Sequence, residues 1–317
     1  MTRALLVLTA HAPAFMAASV DVGHALPDLA ALIRPAVIAL ASIMVLTAVL
    51  RIQPAKLRLA LRRPWHILAV CTALLVGFPV LTALLAPVLG APHWLSTGLV
   101  LAAAAPPISS AAAFAILVKI DAALVTAVSL PATLLAPFTV WAVTSALPGL
   151  SEGVDVTALA LRLGALILGA FGLAFALRRL AGDAAIERLA LPLDAAMVGF
   201  VSLIGIGVMH EVGLALRTAP AEWGVIFAAT WALGLVTCFV SVALFWHAGR
   251  DRALAAGLAG AVKNMAIMVA AVLGTVDPRI ALVVITAQLP IYLAPLILRP
   301  AFAALGRAPG SGTEPAP

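Results

Sequence analysis

A lysine stands in the middle of a long apolar stretch of the chain. Lys263 and Asn264 lie about 11 residues from either end of the predicted membrane span 252–274. An ammonium group at the centre of a bilayer is costly unless it is paired or hydrated, so intramembrane lysines generally mark a substrate or ion site. We predict that Lys263 and Asn264 bind substrate; the alternative is a lysine held structurally by the carbonyl groups of a broken helix.

Two adjacent prolines interrupt a second apolar stretch. Pro106 and Pro107 lack backbone N–H groups, and their rings clash with the preceding turn, so a continuous helix cannot contain them. The predicted span 95–117 should therefore break there, with Ser109 and Ser110 in the first turn of the new half-helix. We assign these two prolines and two serines to the substrate site.

The charge expected at such a site favours an anion. The N-terminal ends of half-helices carry free N–H groups and a partial positive charge, and Lys263 adds a full one. Gln288, in the last predicted span, either lines the same cavity or bonds a neighbouring helix, and we include it among the substrate-binding residues. The expected ligand is a small organic anion.

Other chemistries find no support in the residue pattern. There is no phosphate-binding loop, and neither a catalytic triad nor a metal-ligand cluster converges on a span. Cys71 and Cys238 are expected to be small buried hydrophobes. We therefore predict no enzyme activity, no cofactor and no bound metal; an intramembrane enzyme is a remote alternative.

The composition is that of an integral membrane protein. Of the 317 residues, 64% are hydrophobic and only 10% are charged, and the mean hydropathy is +1.17. A soluble fold of this size could not bury so much apolar surface. The long apolar runs lack period-two alternation, so the spans are predicted to be helices in a lipid bilayer. A nucleic-acid partner is excluded because the basic residues are spread over short loops.

About 20 apolar residues cross a bilayer, and this length divides the chain into ten predicted spans. They are residues 4–20, 32–50, 66–89, 95–117, 121–146, 155–177, 194–214, 221–246, 252–274 and 279–303. The first span is either a retained helix or a cleaved signal peptide. Residues 1–307 are predicted to form one transmembrane unit, and 308–317 a disordered tail.

The basic residues indicate an orientation. If the N-terminus is cytoplasmic, 14 of the 19 lysines and arginines lie on the cytoplasmic side and four lie outside. The four outer residues are Arg34, Arg162, Arg217 and Arg279. This bias follows the positive-inside rule and predicts a bacterial inner-membrane protein with both termini in the cytoplasm.

An internal repeat relates the two halves. Asp121 and Asp277 are 156 residues apart, and each is followed by a Leu-Pro pair and then by Leu-Ala-Pro. Because five spans separate the equivalent helices, the two repeats (about 1–146 and 155–303) should have opposite orientations in the membrane, as in many secondary transporters. Chance similarity between alanine- and leucine-rich helices is the alternative. Subtracting 156 from Lys263 gives Pro107, so the two anomalous sites are equivalent.

These features resemble the bile acid:sodium symporter family over roughly residues 32–300. The resemblance rests on Pro106 to Ala112, on Lys119 to Val125, on Thr-Leu-Leu-Ala-Pro at 133–137 and on Ala259 to Asn264. It implies two inverted five-helix repeats in which spans 4 and 9 are broken and cross. Spans 1, 2, 6 and 7 would form a panel, against which a core of spans 3–5 and 8–10 moves. It also implies sodium-coupled import of organic anions.

The sodium ligands implied by the resemblance are largely missing. Most of the corresponding positions carry no side-chain oxygen, and one carries an amine: Leu74, Ala111, Ala112, Val125, Ala259 and Lys263, with Ser129 the exception. We therefore expect the Lys263 ammonium to replace the sodium ion and to bond Ser129 and backbone carbonyls. If it releases its proton during transport the carrier is proton-coupled; otherwise it is a uniporter or an exchanger.

The expected function is sodium-independent secondary transport of an organic anion by alternating access. Two alternatives remain, namely a sodium-coupled symporter with relocated ligands and a transport-incompetent anion receptor. The substrate, the direction of transport and the oligomeric state are left open.

Overall fold

The computed structural model describes residues 2–51, 64–108, 114–115, 118–147 and 149–306. Within these residues the secondary structure is helical, apart from two isolated antiparallel bridges. The helices are α1 Thr2–Ala10, α2 Ala12–Ala25, α3 Pro27–Ile33, α4 Val37–Leu50, α5 Pro64–Thr72, α6 Phe78–Val88, α7 His93–Ala104, α8 Ala122–Ala146, α9 Val156–Ala181, α10 Asp183–Arg188, α11 Ala190–Thr218, α12 Pro220–Phe245, α13 Arg250–Ala261, α14 Met265–Val272, α15 Pro278–Thr286 and α16 Leu289–Gly306. A π-helical turn, Ala73–Gly77, joins α5 to α6.

Within the described part of the chain, six helical segments are long and apolar enough to cross a membrane. They are Pro27–Leu50, Pro64–Val88, Ala122–Ala146, Val156–Ala181, Ala190–Thr218 and Pro220–Ala248. A seventh is added if the pair Pro278–Ala294 and Ile297–Leu305, which is bent by 57°, counts as one span. The chain therefore has the helices of a multi-pass membrane protein, but not ten uninterrupted spans.

The remaining predicted spans are divided into shorter helices. Span 4–20 becomes α1 and α2, separated at His11, because the proline in the first turn of α2 cannot continue the preceding helix. Span 252–274 becomes α13 and α14. Span 95–117 begins as α7, which ends at Ala104. The predicted tail 308–317 lies outside the described residues.

The surface of α9 is the surface of a helix in lipid. One face carries a buried apolar stripe that includes Leu159, Leu163 and Ile167. The opposite face is also apolar, and its Leu161 and Phe175 are more than two-thirds exposed. Exposed apolar surface of this extent is unfavourable in water, so α9 satisfies both faces only with protein on one side and lipid on the other.

The helices can be divided into two packed units, which also contact each other through α8 and α9. We call α1–α4 with α9–α11 the panel unit, and α5–α8 with α12–α16 the core unit. In the panel unit, α11 packs against α2 and α4, and α9 packs against α4. In the core unit, α7 packs against α6 and α15, and α13 packs against α12 and α8. The half-helix α14 lies between the units, against α4 and α9.

Two ion pairs join α4 and α11 at their opposite ends. Arg34 pairs with Glu211, and Arg51 forms two hydrogen bonds with Asp194 (2.6 and 3.0 Å). The partners are 17 residues apart on each helix, which corresponds to about 25 Å of helix. This length is close to the hydrocarbon thickness of a bilayer, so the charged pairs bracket the apolar section of both helices.

Candidate functional site

Two interrupted helices meet in an antiparallel crossing. Before the prolines, α7 ends at Ala104, and Ala105 adopts the extended conformation that a following proline favours (ψ 138°). In the other half of the chain, α13 ends at Ala261 and α14 starts at Met265. An isolated antiparallel bridge pairs Pro107 with Lys263. The two breaks predicted from the sequence are therefore adjacent in space.

The two hydrogen bonds of the crossing exchange under the repeat offset. Ile108 N–H donates to the Val262 carbonyl (2.9 Å), and Asn264 N–H donates to the Pro106 carbonyl (2.6 Å). Adding 156 to Pro106 and Ile108 gives Val262 and Asn264. Each bond thus becomes the other when the two halves of the chain are interchanged. This is the relation expected of two segments that lie on a common pseudo-two-fold axis.

The Lys263 ammonium is held by backbone carbonyls. The residue is only 5% exposed, and its Nζ donates to the Leu74 carbonyl (3.3 Å) and to the Ala103 carbonyl (3.1 Å). No ion pair joins it to a carboxylate of the described residues. Among the described residues, the buried charge is therefore compensated by peptide dipoles.

Prolines leave both of these carbonyls without a helical donor. In a continuous helix the Ala103 carbonyl would accept from residue 107, but Pro107 has no N–H. The Phe78 N–H bonds the Ala73 carbonyl in the π-helical turn, and the next residue, Pro79, has no N–H either. Leu74 and Ala103 thus have free acceptors in the protein interior, and Lys263 satisfies both.

Asn264 and Gln288 each carry a buried amide atom without a hydrogen-bond partner. Asn264 caps α14, because its Oδ1 accepts from Ile267 N–H (3.3 Å), while its Nδ2 is unpaired. Gln288 Nε2 donates to the Tyr292 hydroxyl, and its Oε1 is unpaired. Both side chains are almost fully buried. An unpaired polar atom in a protein interior is costly, so each is a candidate contact for a bound polar ligand.

The serines of the predicted site behave differently. Ser129 is buried, but its hydroxyl donates to the Val125 carbonyl one turn earlier (2.9 Å) and makes no hydrogen bond to Lys263. The expected Lys263–Ser129 bond is therefore wrong for this conformation: Lys263 donates to backbone carbonyls, and the Ser129 hydroxyl bonds its own helix. Ser109 and Ser110, like Ala111 and Ala112, lie outside the described residues.

The first turn of α14 is less open to an anion than expected. The Asn264 and Ile267 N–H groups are both taken, by Pro106 and by the Asn264 side chain. The donor that stays free is the Asn264 amide, not the helix backbone at these two positions. An anion at this end of α14 would therefore find the Asn264 side-chain donor in place of these two backbone donors.

A small cleft reaches the crossing from the direction of α12 and α16. Its walls include Lys263, Ala103, Thr237 and Pro290, and its volume is about 20 Å³. That volume suits one water molecule and not an organic anion. In this conformation the crossing is therefore closed to a substrate of the expected size from this side.

Sequence reasoning missed three parts of the site. The first is the π-helical turn that exposes the Leu74 carbonyl, for which Gly77 and Pro79 are the only local signals. The others are Tyr292, the partner of Gln288, and the interruption between α15 and α16 at Ala287 and Gln288. The Gln288–Tyr292 bond spans only four residues, and hydrophobic periodicity does not report side-chain hydrogen bonds of this kind.

Within the described residues no group of histidines, cysteines and carboxylates is arranged to hold a metal ion. Comparison with known proteins adds no relative, because no protein-family model matches the chain and no curated protein matches it significantly in sequence.

Proposed function

We propose that the chain is a secondary transporter that moves a small organic anion by alternating access, without sodium. The Lys263 ammonium takes the position that a coupling cation occupies in related carriers. The protein would reside in a bacterial inner membrane, with both termini in the cytoplasm and ten membrane passes, four of them divided into shorter helices. Similarity to the bile acid:sodium symporter family forms part of this proposal.

The observation that carries the proposal is the crossing itself. Irregular backbone at membrane depth is tolerated where it is buried in protein or lines a cavity, and broken helices of this kind form the substrate and ion sites of inverted-repeat transporters. Here the two breaks are paired through Ile108 and Asn264, and a buried ammonium sits beside them. A purely structural protein would gain stability from two continuous helices instead.

Helix packing supports the inverted repeat. When equivalent spans are interchanged, the contact of α7 with α15 becomes the contact of α13 with α8, and both are present. The contact of α6 with α7 likewise becomes that of α12 with α13. Asp121 and Asp277 also cap α8 and α15 in the same way, each accepting from the N–H two residues later at 2.8 Å.

Sodium independence follows from the surroundings of Lys263. Backbone carbonyls replace the hydration shell of alkali ions in many membrane sites. In this chain two such carbonyls, of Leu74 and Ala103, already bind an ammonium. A second cation at the same oxygens would be repelled by the first and would have fewer ligands.

The ion pairs are consistent with the proposed alternation of spans. Arg279 pairs with Glu222 and lies over the ring of Trp94, and the topology assigns all three to the outer face. Arg51 and Asp194 are both assigned to the cytoplasmic face, as are Arg178 and Asp183. Each pair thus joins residues that the topology assigns to one side of the membrane.

Uptake into proteoliposomes tests the proposal. A panel of small carboxylates is first screened by thermal shift, because a true ligand stabilises the folded protein by mass action. Uptake of the radiolabelled hit is then measured in sodium and in choline buffers. We expect equal uptake rates in both. A rate that collapses in choline contradicts sodium independence, and binding without counterflow would indicate a receptor instead of a carrier.

A further inference from the structure

We propose that hydrogen bonds between the start of α9 and the segment 273–277 form the outer gate of the carrier, and that Arg162 is its latch. The inference rests on the proposed alternating-access function. It adds a residue that sets which side of the membrane the site faces, at a distance from the crossing of the broken helices.

Three hydrogen bonds hold the panel unit to the core unit at this point. Asp155 N–H donates to the Thr275 carbonyl (2.8 Å), and Asp277 N–H donates to the Gly153 carbonyl (2.7 Å). These two bonds form the antiparallel bridge between Val154 and Val276. About two turns into α9, the Arg162 guanidinium donates to the Leu273 carbonyl. Two backbone hydrogen bonds and one arginine side chain thus hold the two segments together.

Leu273 is a favourable place for a latch. It immediately follows α14, so its carbonyl lies at the negative end of a helix, where a guanidinium is stabilised. The half-helix α14 starts at Met265, after its cap Asn264, which follows Lys263. A displacement of Leu273 is therefore coupled to the crossing through the eight residues of α14.

The ion pairs have a different distribution. Arg34–Glu211 and Arg51–Asp194 lie within the panel unit, and Arg279–Glu222 lies within the core unit. Each of these arginine–carboxylate pairs joins two segments of the same unit, so a separation of the units would leave it intact. The Arg162 bond, by contrast, crosses from one unit to the other and must break if the units separate at this face.

The latch exists in one repeat and not in the other. Subtracting 156 from Arg162 gives Leu6, which cannot donate to a carbonyl through its side chain. In an inverted repeat the equivalent contact would close the opposite face. Because only one face has this latch, the conformation that is closed at that face is the resting state. The structure described above has this conformation.

Cysteine labelling in lipid nanodiscs tests the gate, because both faces are then open to a membrane-impermeant maleimide. The reporter is Leu159→Cys. The native Leu159 lies one turn before Arg162 on the buried face of α9 and is 0% exposed. The chain without this substitution measures the background from the buried Cys71 and Cys238. A second reporter, Val272→Cys in α14, covers failure of the first to fold.

Removing the latch should open the gate. We expect Arg162→Leu to raise the labelling rate of either reporter roughly tenfold, as expected for loss of a hydrogen bond to a charged donor. Arg217→Leu is the matched control, because it removes an exposed arginine assigned to the same face, and it should leave the rate unchanged. A disulfide between Val154→Cys and Val276→Cys should suppress labelling of either reporter even with Arg162→Leu present.

Equal labelling rates in the Arg162→Leu and Arg217→Leu variants would overturn the gate. A labelling rate that the disulfide does not lower would overturn it as well. The result is separable from transport. Labelling that responds to Arg162 in a protein that moves no carboxylate supports the gate and rejects the carrier. Carboxylate uptake by a protein whose labelling rate is the same with and without Arg162 supports the carrier and rejects the gate.

Discussion

Three prolines and one lysine form a single arrangement at the residue scale. Pro107 and Pro79 withhold the donors that would otherwise bond the Ala103 and Leu74 carbonyls, and Lys263 supplies hydrogens to both. Pro106 adds an acceptor for the Asn264 N–H. The cost of burying the ammonium is thereby offset by carbonyls that would themselves be costly to leave unpaired.

Replacing Pro107 tests this arrangement. Pro107→Ala supplies an N–H four residues after Ala103, which competes with Lys263 for the same carbonyl. We expect uptake of the screened carboxylate to fall at least tenfold while the protein stays folded. Pro131→Ala is the matched control, because Pro131 lies inside the continuous helix α8. Equal effects of the two substitutions would mean that the carbonyl release has no functional role.

Asn264 has two roles that one substitution separates. Asn264→Ser keeps an oxygen that caps α14 but removes the unpaired Nδ2 donor. We expect the free energy of unfolding to change by less than about 1 kcal/mol and the Kd of the carboxylate to rise roughly tenfold, since a bond to an anion is lost. Thermal-shift titration measures both. An unchanged Kd would assign Asn264 to capping alone, and Asn264→Ala, which also loses the cap, should be the less stable variant.

At the element scale, the sequence predicts the break in span 4 more directly than the break in span 9. Two consecutive prolines forbid a continuous helix, so the end of α7 follows from covalent structure. The end of α13 was inferred from Lys263 and the repeat, because no proline marks it. The apolar pattern does not predict the π-helical turn at Ala73–Gly77 or the break before Leu289, although Pro79 and Pro290 lie within two residues of them.

The contact between α7 and α15 joins the two halves through a glycine. A Cβ at Gly98 would lie 2.5 Å from the Val283 Cβ, which is far inside van der Waals contact. We expect Gly98→Ala to destabilise the protein by about 1–3 kcal/mol, measured by thermal unfolding in detergent. Val283→Ala in the same chain should recover part of this loss. The control is Gly172→Ala, because no atom lies within 4 Å of its added Cβ.

A Gly98→Ala variant as stable as the native protein would contradict close packing between α7 and α15. A loss of the same size in Gly172→Ala would point to a general sensitivity of these helices to glycine replacement instead.

At the scale of the whole molecule, charge defines the edges of the membrane. The pairs Arg34–Glu211 and Arg51–Asp194 lie at opposite ends of the same two helices. The sequence alone assigned Arg34 and Arg51 to opposite faces from the positive-inside rule. It could not predict their partners, because Glu211 and Asp194 are distant in the chain and show no periodicity that relates them to α4.

The orientation is testable at the two ends of α12. Thr218 precedes this helix and His247 follows it, and both are exposed. In sealed right-side-out vesicles we expect an impermeant maleimide to label Thr218→Cys directly and His247→Cys only after permeabilisation. The unsubstituted chain, with buried Cys71 and Cys238, gives the background. The reverse pattern would invert the topology, and equal labelling of the two would deny that α12 spans the membrane.

Of the predicted site, the pairing of the two breaks could be anticipated from the repeat offset, which maps Lys263 onto Pro107. The partners of Lys263 could not. The sequence suggests Ser129 as a ligand because it carries a side-chain oxygen inside a predicted span. In the structure its hydroxyl donates to the Val125 carbonyl of its own helix. Backbone carbonyls carry no sequence signature, so Leu74 and Ala103 emerge only from the three-dimensional arrangement.

The central claim is that the Lys263 ammonium takes the place of a sodium ion, and sodium-dependent stability tests it most directly. The melting temperature is measured in sodium chloride and in choline chloride of equal ionic strength. We expect no difference for the native protein, and for Lys263→Gln, which exchanges the charge for an oxygen ligand, a rise of about 2–4 °C in sodium. A native protein that sodium stabilises, or a Lys263→Gln variant that ignores sodium and transports normally, would contradict the claim.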